Sequence, residues 1–247
     1  MGLTSSKQKR SSPEEVLAGL MPVKQTPLPE PPQPTLKPTR IISLDGNIGV
    51  GKTTLIERIK ERFPNIIVVP EPVDMWTQLK DNEGRNLLEL FYKDKQRWAF
   101  SFQQAAMLSR LLLLQKAVED AKPGQIILSE RSVLTDRFVF AEMLHHSGDL
   151  NPIEWTLYQY WYKAFGSMLP MAGLLYINTG VDTAYRRIQS RGRGGEGEIS
   201  KEYLEALDRQ HRAWVAGTNL QKQEISTEDG VDIETTMKIL EEFFNRI

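Results

Sequence analysis

The sequence predicts an α/β fold, a parallel β-sheet flanked by helices and carried by residues 40–247. Three observations predict it. Short apolar runs alternate with longer stretches of helical periodicity. A glycine-rich loop joins the first of those runs to the first helix. Acidic residues stand directly after two later runs, where the carboxyl ends of parallel strands meet ligands.

The elements follow in order. Arg40–Leu44 reads as a short buried strand, and Lys52–Phe63 as the helix after the loop. Asn65–Val69 is the second strand. A long helix over Asp94–Asp120 follows, with Phe102, Ala106, Leu108, Leu111 and Leu112 as its apolar positions. Gln125–Ser129 is a strand. Helical stretches cover 131–144 and 152–169. Gly173–Asn178 is a strand, followed by helices over Val181–Ser190 and Lys201–Ala216. A strand near Gln223–Ser226 and a helix over Asp232–Phe244 close the domain.

The 247 residues, 40% hydrophobic, suffice for one core. A net charge of -1 gives no general attraction for nucleic acid or membranes. With no cysteine, disulfides, thiolate metal sites and thiol nucleophiles are excluded. His145, His146 and His211 are too few to suggest a structural metal. No apolar run approaches the roughly 20 residues of a membrane span. An apolar secretory segment is lacking, so a cytoplasmic location is expected.

Residues 1–39 differ from the rest. Pro22, Pro27, Pro29, Pro31, Pro32, Pro34 and Pro38 preclude a stable helix, and Lys7, Lys9 and Arg10 cluster. This is a disordered, mildly basic tail. Its start, Met1-Gly2-Leu3-Thr4-Ser5-Ser6, matches the myristoylation pattern at Gly2, with the basic cluster as a second, weak membrane signal. A mitochondrial presequence fits less well, since Glu14, Glu15 and Glu30 interrupt it.

The segment Gly46-Asn47-Ile48-Gly49-Val50-Gly51-Lys52-Thr53-Thr54 sits between strand and helix. That context makes it a phosphate-binding loop. Glycines let backbone N–H groups crowd round phosphates, and the helix N-terminus adds its dipole. Lys52 would neutralise phosphate charge, and the Thr53 hydroxyl would ligate magnesium. Glu71 and Glu130-Arg131 follow strands on the same sheet edge. A carboxylate there orients or deprotonates a substrate hydroxyl, or holds magnesium through water. Arg186, Arg187, Arg191 and Arg193 interleave with Gly192, Gly194, Gly195 and Gly197. This is the composition of a lid that closes positive charge over a transferring phosphoryl group. A basic loop touching nucleic acid is the alternative, but no basic stripe continues past Arg193.

These motifs occur together with Glu71-Pro72-Val73, Trp76, Phe102-Gln103, Glu130-Arg131-Ser132 and Arg191-Gly192-Arg193. In that combination, from about Arg40 to the C-terminus, the chain resembles the deoxynucleoside kinase family, in its deoxycytidine/deoxyguanosine kinase branch. The resemblance implies a P-loop kinase fold with an arginine-rich lid, ATP and Mg2+ as cofactors, and phosphorylation of a deoxyribonucleoside 5'-hydroxyl. It implies Glu71 as base, Arg131 and Glu130 beside the phosphates and magnesium, and Arg187, Arg191 and Arg193 as lid residues. Gln103 would bond the base edge, with Trp76, Phe102 and Phe140 as walls. Tyr92 and Glu196 would hold the sugar 3'-hydroxyl. Ala106, Arg110 and Asp136 match the positions that separate substrates in the family. Arg110 with Asp136 resembles the deoxycytidine/deoxypurine branch.

The resemblance further implies a homodimer packed through helices of the Phe100–Gln115 and Trp155–Phe165 type. The aromatic residues of the second helix, Trp155 to Phe165, also fit a core. The chain departs from the family in Gly49-Val50, where two small residues are more usual, and in a lid richer in glycine. Two other readings remain open: a nucleoside monophosphate kinase of the thymidylate type, and an ATP-binding regulatory protein without transfer chemistry.

Overall fold

A parallel strand needs cover on both faces, because its crossover connections run over them. The computed structural model describes residues 39–192, 197, 199–228, 230 and 232–247. The strands are β1 (Arg40–Gly46), β2 (Ile67–Val69), β3 (Ile126–Glu130), β4 (Met171–Asn178) and β5 (Gln221–Ser226). They pair in parallel throughout, in the order β2-β3-β1-β4-β5. The helices are α1 (Lys52–Arg62), α2 (Val73–Gln78), α3 (Leu87–Lys93), α4 (Lys95–Asp120), α5 (Val133–Thr135), α6 (Glu142–His146), α7 (Pro152–Phe165), α8 (Val181–Arg191), α9 (Lys201–Gly217) and α10 (Ile233–Arg246). A π-helical turn, Asp136–Ala141, joins α5 to α6.

Side-chain alternation along the strands divides the core. Ile42, Leu44, Leu128, Leu175 and Ile177 pack on one face against Leu55 and Ile59 of α1 and Leu240 and Phe243 of α10. Ile41, Ile127, Leu174 and Tyr176 pack on the other, against α4 and α9. The chain runs from β1 to β2 past β3, then back across to β4. The loops after β1 and β3 therefore part at a topological switch point, where the sheet leaves a crevice for ligands.

Several elements differ from expectation, each for a local reason. The strand expected from Asn65 begins at Ile67, since the Ile66 amide turns back to the Phe63 carbonyl at 3.0 Å. The helix expected over 131–144 cannot start at Arg131, whose φ is 61°. Ser132 caps it instead, and the turn widens to π geometry from Asp136. The helix expected over 152–169 stops at Phe165, with Gly166 opening a 3-10 turn. Helices α2 and α3 were not expected. The capping box that opens α3, Asn86 with Glu89, is visible in sequence.

Leu108 and Leu112, among the apolar positions of α4, are 45% and 59% exposed. In α7 only Tyr158 is fully buried, while Tyr160 and Trp161 face outward. Residues 1–38, with the expectations of disorder, acylation at Gly2 and membrane association, lie outside the described residues. Among the described residues no helix is long and apolar enough to cross a membrane.

His211 of α9 is fully buried between the rings of Tyr176 and Phe140. Its Nδ1 donates to the Leu207 carbonyl at 2.8 Å, and Nε2 has no partner. Burial first, then the Arg131 and Lys52 charges, push its pKa down to about 3, against the Leu207 bond. The unfolded chain therefore binds the extra proton between about pH 6.5 and 3, so stability falls as pH drops through that window. At pH 5 the cost is about 2 kcal/mol for this group. A His211→Gln variant should show a flatter urea midpoint between pH 7 and pH 5 than the parent. Equal slopes would remove His211 from the acid sensitivity.

Candidate active site

The phosphate loop is shaped by glycines and pinned by polar side chains. Gly49 has φ +80°, and a Cβ there would stand 2.5 Å from the Ala184 carbonyl oxygen. Gly51 has φ +96° and caps α1, so the free N–H groups of that helix open on the loop. Lys52 Nζ donates to the carbonyls of Gly46 at 3.2 Å and Asn47 at 2.8 Å. Burial and the Arg131 charge hold its pKa down at about 7, against Glu130, Glu71 and Asp45.

Asn47 and Val50, expected to meet the phosphates, turn their side chains inward. The Asn47 amide donates to Leu204 of α9 at 2.8 Å, and Val50 belongs to the core under α1. The Val50 carbonyl accepts from Thr227 at 2.9 Å and Arg187 at 3.3 Å. Only the backbone of these two residues is available to a ligand. Thr53 Oγ1 lies 3.4 Å from Glu130 Oε1, so the hydroxyl and carboxylate expected to share a metal do adjoin. Among the described residues no three acidic or histidine side chains form a metal cage. A hydroxyl and one carboxylate suit magnesium, which keeps phosphate and water as its other ligands.

Across the crevice the charges interlock. Arg131 follows β3 directly, and its left-handed backbone lets its amide reach the Leu44 carbonyl at 3.0 Å. Its Nη1 donates to both Glu71 oxygens at 2.8 Å, and Nη2 to the Gly46 carbonyl at 3.3 Å. Arg110 of α4 is 1% exposed. It forks onto Asp136 at 2.9 and 3.2 Å, and reaches the Glu130 carbonyl at 2.6 Å and Glu71 at 3.4 Å. Burial alone would push the Glu71 carboxyl up, but the Arg131, Arg110 and Lys52 charges hold it at about 2. Burial pushes Asp136 up, and Arg110 pulls it back only in part.

Beside this network lies a cavity of about 290 Å³. It runs from the phosphate loop, past Ile48, Thr53 and Thr54, to the expected walls Trp76, Phe102 and Phe140, with Ala106 beside them on its lining. Tyr92 and Arg191 also line it, as do Arg187, Arg110 and Asp136. Phe140 and Asp136 both come from the π-helical turn. Trp76 packs edge-on to Phe102 at 5.1 Å, with its indole N–H on Ser109 at 3.0 Å. Gln103 is 1% exposed, and its Oε1 has no partner. By periodicity it would have passed as solvent-facing.

Sequence reasoning missed Val73, Leu88, Phe91 and Tyr203, which also line the cavity. Phe91 stacks on Phe102 at 4.5 Å and is signalled only by the capping box before it. Tyr203 meets Tyr92 edge-on at 6.4 Å, and nothing in its sequence neighbourhood marks it. Arg193 and Glu196 lie outside the described residues.

A phosphate loop, two strand-end carboxylates and an aromatic slot with a buried amide are thus contiguous. The family model described as deoxynucleoside kinase matches residues 42–247. The chain belongs to the deoxynucleoside kinase family. It is 37% identical to Homo sapiens deoxycytidine kinase over 199 residues, covering 72% of this chain and 76% of that one. It is 30% identical over 220 residues to a Xenopus laevis protein named deoxyguanosine kinase, mitochondrial, with 82% of each chain covered. This family member is a phosphotransferase that phosphorylates deoxynucleosides on the 5'-hydroxyl, with ATP as donor.

Proposed function

We propose that this kinase acts on deoxycytidine and deoxypurine nucleosides in preference to thymidine, using the residues gathered around the cavity. The buried Arg110–Asp136 pair carries the substrate reading, with Gln103, whose oxygen has no partner, lining the same cavity. A base edge with both donor and acceptor groups answers such a site. A base that leaves them unpaired carries their desolvation cost. The relatives named as deoxycytidine and deoxyguanosine kinases support the same branch.

In this reading Phe102, Trp76 and Phe140 enclose the base, and Tyr92, with Glu196, holds the sugar. Glu71 orients the 5'-hydroxyl toward the phosphate loop. A carboxylate held at about 2 is a weak base. In this reading it takes the hydroxyl proton as the oxygen–phosphorus bond forms through a loose transition state. Lys52 and Arg131 take up the charge on the transferring phosphoryl group, joined by Arg187, Arg191 and Arg193. Thr53 and Glu130 would hold magnesium, which supplies charge neutralisation on the phosphates.

The exposed Leu108 and Leu112 of α4 and Ile153, Leu157 and Trp161 of α7 support a homodimer. These two helices pack together, so their apolar residues give a patch suited to a second copy. Sedimentation velocity at micromolar concentration should show two chains, and Leu112→Asp should shift the species to one. A parent that sediments as a monomer removes the dimer.

Phosphate transfer from ATP–magnesium to each deoxynucleoside tests the substrate reading. Turnover with deoxycytidine or a deoxypurine well above thymidine supports it, and thymidine preference overturns the pocket argument. Turnover on monophosphates alone would make the protein a monophosphate kinase. Glu71→Gln should lower kcat by about 10²- to 10⁴-fold while nucleoside affinity stays near the parent's. A parent-like kcat would end its role.

A further inference from the structure

The acceptor half of the site rests on a carboxylate outside the cavity. Asp45, next to last in β1, is fully buried and is not among the cavity-lining residues. Its register partner in β4 is Tyr176, and Ser43 of the same strand is paired with Ser129 of β3. Alternation puts these four side chains on the sheet face that carries α4 and α9. Removing a carboxylate from water is costly unless hydrogen bonds replace the lost hydration. Two hydroxyls supply them. Ser43 donates to one Asp45 oxygen and Thr135 to the other. The nearby arginines give their hydrogen bonds elsewhere, Arg110 to Asp136, Glu71 and the Glu130 carbonyl, Arg131 to Glu71 and Gly46.

Thr135 ends α5 and immediately precedes Asp136. Its amide donates to the Ser132 hydroxyl at 3.3 Å, and its own Oγ1 accepts from the Ser132 amide at 3.2 Å. The first of these caps needs no Thr135 hydroxyl. The bond to Asp45 is a separate tie between the end of β1 and the turn that carries Arg131 on one side and Asp136 on the other. The phosphate loop is anchored differently, through Lys52 on Gly46 and Asn47, Asn47 on Leu204, and Thr227 and Arg187 on Val50. Loosening the Asp45–Thr135 tie should therefore disturb the acceptor side and spare the donor side.

We propose that Asp45, acting through the Thr135 hydroxyl, is a positioning residue for base recognition: it fixes the turn from which Asp136 meets Arg110. The inference rests on the reading of Arg110 and Asp136 as base-edge contacts. A misplacement of about 1 Å in such a group costs up to about 10²-fold in rate, so a single tie can matter.

The test uses the full-length chain with Thr135→Val, Thr135→Ser, Asp45→Asn and Asp136→Asn, assayed with deoxycytidine, thymidine and ATP. Thr135→Val keeps the side-chain shape without the hydroxyl. It should raise KM for deoxycytidine about tenfold and compress the deoxycytidine-over-thymidine ratio by a similar factor. KM for ATP should stay within about twofold. Thr135→Ser should restore parent values. Asp45→Asn keeps volume but exchanges one acceptor for a donor. It should lower the same ratio in part, and it carries the test if Thr135→Val does not fold. A folded Thr135→Val with parent KM and parent ratio overturns the proposal. So does a uniform loss across deoxycytidine, thymidine and ATP with a lowered Tm, which would mark plain structural support. Asp136→Asn separates the two levels. If it compresses the ratio while Thr135→Val and Asp45→Asn do not, only the Asp45 inference falls. If it leaves the ratio unchanged, the base-edge reading falls and takes this inference with it.

Discussion

The Arg131 guanidinium lies between the two Glu71 oxygens and the Gly46 carbonyl, with its own amide on Leu44. Those contacts span β1, the segment after β2 and the end of β3. They join the phosphate loop to the Glu71 carboxylate. The geometry requires left-handed backbone at a residue with a Cβ, φ 61°, a strain of about 1–3 kcal/mol. Four hydrogen bonds hold the residue there. The same kink delays the helix after β3 and brings Ser132 to its cap.

Around Arg131 the site is a balance of buried charges. Arg110 and Arg131 face Glu71, Asp136 and the more distant Asp45, with Lys52 and Glu130 on the donor side. Burial pushes the Asp136 and Asp45 carboxyls up, and the guanidinium charges pull them back only in part. Glu71 shows the opposite outcome. Burial would raise its pKa, yet three cations hold it at about 2. A site built this way favours orientation over strong basicity, which suits phosphoryl transfer, where little proton movement is needed early.

The aromatic slot is built by different means. Phe91, Phe102 and Trp76 form a chain of ring contacts, and Ser109 fixes the indole. These residues come from α2, α3 and α4, which follow β2. The π-helical turn adds Phe140 and Asp136 from the opposite side. A widened turn of that kind is common at functional sites, where it re-aims side chains from a helix. Each stretch supplies both kinds of group: α4 brings Phe102 with Gln103 and Arg110, and the π-helical turn brings Phe140 with Asp136.

The sequence alone determined the sheet class, the phosphate loop and the strand-end carboxylates. These depend on short-range pattern: apolar periodicity, glycines before a helix, and acids directly after a strand. The roles of Gln103, Arg110 and Asp136 came only through family resemblance, since a polar residue within an apolar helix carries no local mark of burial. Tertiary structure alone brought in Tyr203 and the Asp45–Thr135 tie. Asp45 and Thr135 are 90 residues apart and their bond crosses from a strand to a helix end. It also turned Leu108 and Leu112 outward, because α4 is apolar on more than one face and only packing selects which face is covered.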